Sequence, residues 1–195
     1  MTADERPPLR ARIDRWCAGR AWTWRAVVLA LLVWQAARVL RDPLRPSLFG
    51  GINFGAHEFG HLFFSFGGEW LTIAGGSLMQ LIVPVGAAVA LAVTAEDWFG
   101  VAACGLWLSS SLADLAPYIA DARAQALDLV SFSPDGGEHD WHYLLAHAGL
   151  LRHDQLVARG AKFAGALLLV ASLLFALALL RRMATLPPPE PDSGG

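Results

Sequence analysis

Apolar residues fall along this chain in long blocks separated by short polar breaks, without the periods of half-buried strands or one-sided helices. Residues 1–21 are arginine-rich and carry Pro7-Pro8, which predicts a polar arm. The block 22–40 is longer than a signal-peptide core and lacks a small-residue cleavage pattern after it, so it predicts a first membrane helix. Asp42-Pro43 and Pro46 break it. A second block, 48–66, stops at Gly67-Gly68; a third, 74–93, contains Pro84 and closes at Glu96-Asp97. The fourth, 98–119, holds Ser109-Ser110-Ser111 and Asp114. Residues 120–160 form the longest polar stretch, with a turn signal at Ser133-Pro134-Asp135-Gly136-Gly137 and a short amphipathic helix expected over 142–151. The fifth block, 161–180, is dominated by Ala and Leu and closed by Arg181-Arg182; the tail 183–195 reads as disordered. The predicted fold is all-α and polytopic: one membrane domain over 22–182, with about five transmembrane helices.

Composition agrees with that pattern. Of 195 residues, 55% are hydrophobic and 16% charged, and the mean hydropathy is +0.43. The net charge of −2 carries no nucleic-acid footprint. Cys17 and Cys104 are far apart and suggest neither a disulfide framework nor a thiolate metal site. With five crossings, Arg6, Arg10, Arg12, Arg15 and Arg20 before the first block, and Arg123, Arg152, Arg159 and Lys162 in the polar stretch, outnumber Arg41, Arg45, Arg181 and Arg182 on the other side and favour a cytoplasmic amino terminus; a re-entrant motif segment would flip everything after it. A bacterial inner membrane is the expected location.

The chemistry sits in the second block. His57-Glu58-Phe59-Gly60-His61 is an H-E-x-x-H pattern, and Glu58 is the only carboxylate in the surrounding INFGAHEFGHLFFSF. On a helix, residues four apart share a face, so both imidazoles can reach one metal ion, with Glu58 beside it as general base. Ionisable groups in a membrane segment are expensive to bury and mark functional sites. A catalytic zinc site takes three protein ligands and keeps one position open. Asp114 and Asp121 at the end of the fourth block, and Asp140 in Gly137-Glu138-His139-Asp140-Trp141-His142, are the available carboxylates. Asp140 also fits an N-cap, Asp114 a group bonded to a ligating His, and Asp121 a helix end at the water surface. His139, His142, His147 and His153 read as solvated or interfacial, and Asp154 as a cap for the last helix. Gly55 and Gly60 would let neighbouring helices approach closely. The Trp and Tyr residues fit interface anchoring.

An H-E-x-x-H in a membrane helix, then a glycine-to-polar stretch, then a Pro-containing helix end with Asp, resembles the site-two intramembrane metalloproteases. Their later motif is N-x-x-P-x-x-x-L-D-G, whose Asp is the third zinc ligand. Asp114-Leu115-Ala116-Pro117-Tyr118-Ile119-Ala120-Asp121-Ala122 is similar, with Asp for Asn, one residue fewer between Pro and Asp, and Ala for Gly. The resemblance covers about residues 50–123. It implies Zn²⁺ held by His57, His61 and Asp121, with Asp140 and Asp114 as alternatives. It also implies that Gln80, in Gly76-Ser77-Leu78-Met79-Gln80, stands where the family's Asn lies near the site. The amide could donate to a developing oxyanion or bond between helices. The expected partners are the bilayer and a membrane-spanning or membrane-adjacent peptide substrate, with no nucleic acid. A non-catalytic metal-binding relative and a membrane di-iron oxidase are the other classes. The second needs about eight His by family resemblance, against 6 here. No internal repeat supports a transporter.

Overall fold

The computed structural model describes residues 7–127 and 139–188, which leaves Arg6, the 133–137 turn signal and the end of the tail outside the description. The described residues form seven α-helices and no strand: α1 (Leu9–Cys17), α2 (Thr23–Arg41), α3 (Gly50–Phe63), α4 (Glu69–Ala90), α5 (Trp98–Ala120), α6 (Asp140–His147) and α7 (Asp154–Thr185). Helices are what uninterrupted apolar sequence must form in lipid, because each satisfies its own backbone polar groups. The breaks follow turn chemistry. Gly68 takes φ 83° ahead of α4, and Asp97 opens α5 by accepting from the Gly100 N–H at 3.0 Å.

Four stretches are long and apolar enough to cross a membrane: α2, Ser65–Ala95 around α4, α5, and Leu151–Thr185 around α7. The all-α polytopic expectation therefore holds, but the fifth crossing does not. The 48–66 block yields only the 14 residues of α3, a rise of about 21 Å where a bilayer needs roughly 20 residues. The two chain ends lie together, as an even number of crossings requires. Asp14 of α1 pairs with Arg182 of α7 at 3.1 Å, and Arg12 pairs with Glu96 at 2.9 Å. Ile13, Trp16 and Cys17 share one apolar cluster with Leu29, Trp98, Leu106, Leu179 and Met183. The predicted polar arm is thus partly a docked helix, and both chain ends lie at one end of the bundle. The cationic residues now divide almost evenly between the two ends, because Arg181 and Arg182 join the amino-terminal arginines.

The lipid-compatible surface and the polar interior follow from the same residues. Val27 and Leu31 on α2, Val85 and Val89 on α4, and Leu167 and Leu174 on α7 are exposed, as suits an apolar solvent. Central α5 packs against α2, α4 and α7, and buries Ser109, Ser110 and Ser111 completely. Ser109 Oγ donates to Gly165 O at 2.7 Å. Asn53 on α3 is a buried hub: its Oδ1 accepts from Trp107 Nε1 at 2.8 Å and Ser111 Oγ at 3.2 Å, and its Nδ2 donates to Asp114 at 2.7 Å. These bonds matter because an unsatisfied polar group has no water to turn to there.

At the end of the bundle away from α1, α5 meets the start of α7. Gln155 Nε2 donates to Ala120 O at 2.7 Å, and Arg123 pairs with Asp154 at 2.7 Å. The apolar run of α7 begins only at Ala161, so this end forms the rim of the apolar layer. Single cysteines placed by Arg10→Cys and Arg181→Cys, with Cys17 and Cys104 replaced by Ala, are expected to react from the same side of sealed vesicles. Labelling from opposite sides would overturn the four-crossing topology.

Candidate metal centre

The 3.6-residue period of α3 puts His57 and His61 on one face, with ring centroids 4.8 Å apart. Small residues then let α4 cover that face. Gly60 and Gly75 bring the two backbones together: a Cβ on Gly60 would overlap the Gly75 carbonyl, and a Cβ on Gly75 would stand 2.5 Å from the Gly60 oxygen. One residue on, a Cβ on Gly76 would lie 2.5 Å from His61 Nε2 and 2.6 Å from His57 Nε2. The hydrogen of Gly76 leaves open the space that both Nε2 atoms face. His61 Nδ1 lies 2.9 Å from the Thr72 carbonyl of α4. Donating its proton there, the ring keeps the Nε2 lone pair for a ligand.

The third group arrives from α6. Its N-cap is His139, whose Nδ1 accepts from the His142 N–H at 3.2 Å, leaving Asp140 as the first helical residue. Trp141 Nε1 donates to Ser77 Oγ on α4 at 3.1 Å, and Tyr143 and Leu144 pack on Ala74. The Asp140 N–H donates to the Tyr118 hydroxyl of α5 at 3.0 Å. So held, Asp140 Oδ2 lies 2.9 Å from His57 Nε2 and 3.4 Å from His61 Nε2. Burial would push its carboxyl up, but the two imidazoles outweigh burial and hold it below the usual carboxylate range.

Among the described residues, His57, His61 and Asp140 form a group able to hold a metal ion, with ligand atoms within 4.8 Å of one another. Ligands about 2.0–2.1 Å from a tetrahedral zinc stand roughly 3.3 Å apart, close to the two distances from Asp140 Oδ2 to the imidazoles. The Gly76 cradle and the Thr72 bond fit an ion there. Glu58, adjacent to His57 and half-buried, is near enough for its charge to be felt at His61.

The other predicted residues are placed as follows. Asp121 stands outside the group. Its carboxylate accepts from the Ala126 and Leu127 N–H groups at 2.9 and 3.0 Å and lies 3.5 Å from His139 Nε2. Burial would raise its pKa, but these N–H donors together with His139 lower it. Asp114 is committed to Asn53. Gln80, one turn along α4 from Gly76, is buried with Nε2 3.5 Å from Ser111 O, the interhelical alternative. His139 is buried against the Tyr118 ring at 4.5 Å, not solvated, and burial pushes its pKa down. His142 Nδ1 lies 2.8 Å from Ala122 O, while His147 and His153 are exposed. Asp154 starts α7 and accepts from the Gln155 N–H at 2.7 Å.

Sequence reading missed Tyr118, assigned to interface anchoring. It sits between His57, at 6.1 Å centroid to centroid, and the backbone of Asp140. Its position one helical turn beyond Asp114 was the available signal. Comparison with protein-family models, curated proteins and solved structures finds no match for this chain. The chemistry is therefore drawn from its own side chains.

Asp140→Ala is expected to lower the metal content of the purified chain to a tenth or less, while Asp121→Ala keeps it, by elemental mass spectrometry. The reverse result would return the third position to Asp121. Gly76→Ala puts a methyl group on both Nε2 atoms and is expected to weaken metal binding by about 10–100-fold, the range seen when a supporting group is lost. Unchanged affinity in a competition titration would mean that an ion sits elsewhere.

Proposed function

We propose that this chain is a membrane-embedded zinc metalloprotease of the site-two type, hydrolysing peptide bonds of membrane-associated substrates. The observation that carries the reading is the meeting of the H-E-x-x-H pair with a carboxylate from a separate helix, at the rim of the apolar layer. His57, His61 and Asp140 would hold the ion. A zinc ion there would supply Lewis acidity to a water molecule and to the scissile carbonyl. Glu58 takes the water proton and returns it to the leaving amine. Thr72 and Tyr118 hold His61 and Asp140 in place. A substrate helix satisfies its own backbone and must unwind before cleavage; a site at the rim meets it where water can replace those bonds. The four apolar helices support an integral-membrane setting.

A non-catalytic metal-binding role is the second reading, favoured by the departures of the segment 114–122 from the family pattern. The di-iron reading loses support, since His139 and His142 are engaged away from the His57–His61 pair.

Glu58→Gln separates the first two readings. The variant is expected to keep its metal while cleavage of transmembrane peptides co-reconstituted in proteoliposomes falls by about 10²–10⁴-fold. Full cleavage by this variant would sink the protease reading. Metal binding without cleavage in the wild type would favour the non-catalytic role.

A further inference from the structure

A second feature lies at the carboxyl end of α2 and shares no residue with the metal-ligand group. A cavity of about 410 Å³ opens at the carboxyl end of α2, within the size range of small-molecule sites. Val33, Trp34 and Ala37 form its apolar wall, and Arg38, Arg41 and Arg45 its polar end. Positions 34, 37, 38 and 41 repeat at three and four residues, so wall and head form one stripe along a single helix face.

Three guanidinium groups face one carboxylate. Asp42 is paired with Arg45 at 2.5 Å. Arg38 donates to Gln35 Oε1 at 3.2 Å and to the Pro46 carbonyl, and lies over the Trp34 ring at 5.1 Å. These contacts fix the Arg38 head without neutralising it. Arg41 has no carboxylate partner among the described residues. Two positive charges are thus left uncompensated, one of them pre-oriented, which suits an anion of phosphate type.

The apolar stripe identifies the source of that anion. Val27, Leu31 and Trp34, at 62%, 60% and 60% exposure, continue the wall along α2 at spacings of four and three residues. A free phosphate has no use for such a surface; an acyl chain does. The depth agrees. Leu40 Cδ2 is 3.5 Å from where a Gly165 Cβ would stand, and Gly165 lies one turn inside Lys162, where the apolar run of α7 begins. The arginines therefore stand at the level of lipid headgroups.

We propose that this cavity binds the phosphodiester of an anionic phospholipid, with Arg38 and Arg41 on the headgroup and an acyl chain along Val27, Leu31 and Trp34. The shared chemistry is a phosphate anion, and the test separates lipid from free phosphate. The full chain in non-ionic detergent is titrated with phosphatidylglycerol, phosphatidylcholine or inorganic phosphate, and bound lipid is counted by native mass spectrometry. Phosphatidylglycerol is expected to bind in preference to phosphatidylcholine. Arg41→Gln is expected to weaken it about fivefold, the effect of one basic residue at a charged lipid surface, and Arg38→Gln/Arg41→Gln more. Because Arg38 also braces the turn, Arg41→Gln decides alone if the double variant does not fold. Equal binding of the two lipids, or unchanged binding in a folded Arg41→Gln, would overturn the proposal. Displacement of the lipid by an equal concentration of inorganic phosphate would overturn it too, and leave a plain anion site.

Discussion

The candidate metal centre rests on one contact, the meeting of the α3 and α4 backbones at Gly60 and Gly75. Helices in lipid gain little from burying apolar surface, and associate where small residues allow close van der Waals approach. Without side chains at these two positions, α4 comes near enough for the Thr72 carbonyl to accept a hydrogen bond from His61 Nδ1 and for Gly76 to pass over both imidazoles. A larger residue at either position would force the helices apart and leave His61 Nδ1 without its acceptor. The placement of Asp140 depends on the same contact, since α6 docks on α4 through Ser77 and Ala74.

The two ends of the bundle are built on different principles. Around α1, large apolar residues such as Trp16, Phe99 and Leu179 fill a common cluster, and ion pairs ring it. Around α3 and α6, buried polar groups are matched one to another: Asn53 with three partners, Trp141 with Ser77, Asp140 with Tyr118 and two imidazoles. Matched polar networks in a low dielectric specify one arrangement, because every misplaced donor is expensive. The apolar end supplies bulk stability, and the polar end supplies position.

His57, Glu58 and His61 were legible in the sequence because their relation is local: four residues on one helix fix the geometry. Asp140 was visible as a candidate but ranked below Asp121, because a local motif pointed to Asp121 while Asp140 reaches the pair only through tertiary docking. Asp121 instead spends its lone pairs on the N–H groups of Ala126 and Leu127, a turn-closing role that short-range pattern cannot tell from ligation. The membrane blocks were legible from hydropathy, except where apolar content and helix length part company. Residues 48–66 are apolar apart from Asn53, His57, Glu58, His61 and Ser65, yet the helix stops at Phe63 and a tight turn at Ser65–Gly67 reverses the chain.

The helix that carries Asp140 is eight residues long and belongs to neither of the crossings it joins. So short a helix has little stability of its own; its place depends on Trp141, Tyr143 and Leu144 against α4. An ion shared between this helix and α3 is then thermodynamically linked to its docking. By reciprocity, ion and helix stabilise each other by the same free energy. Any opening of α6 would then loosen an ion by the factor by which the ion resists that opening, so exposure of the histidines and retention of the ion are opposed in one eight-residue element.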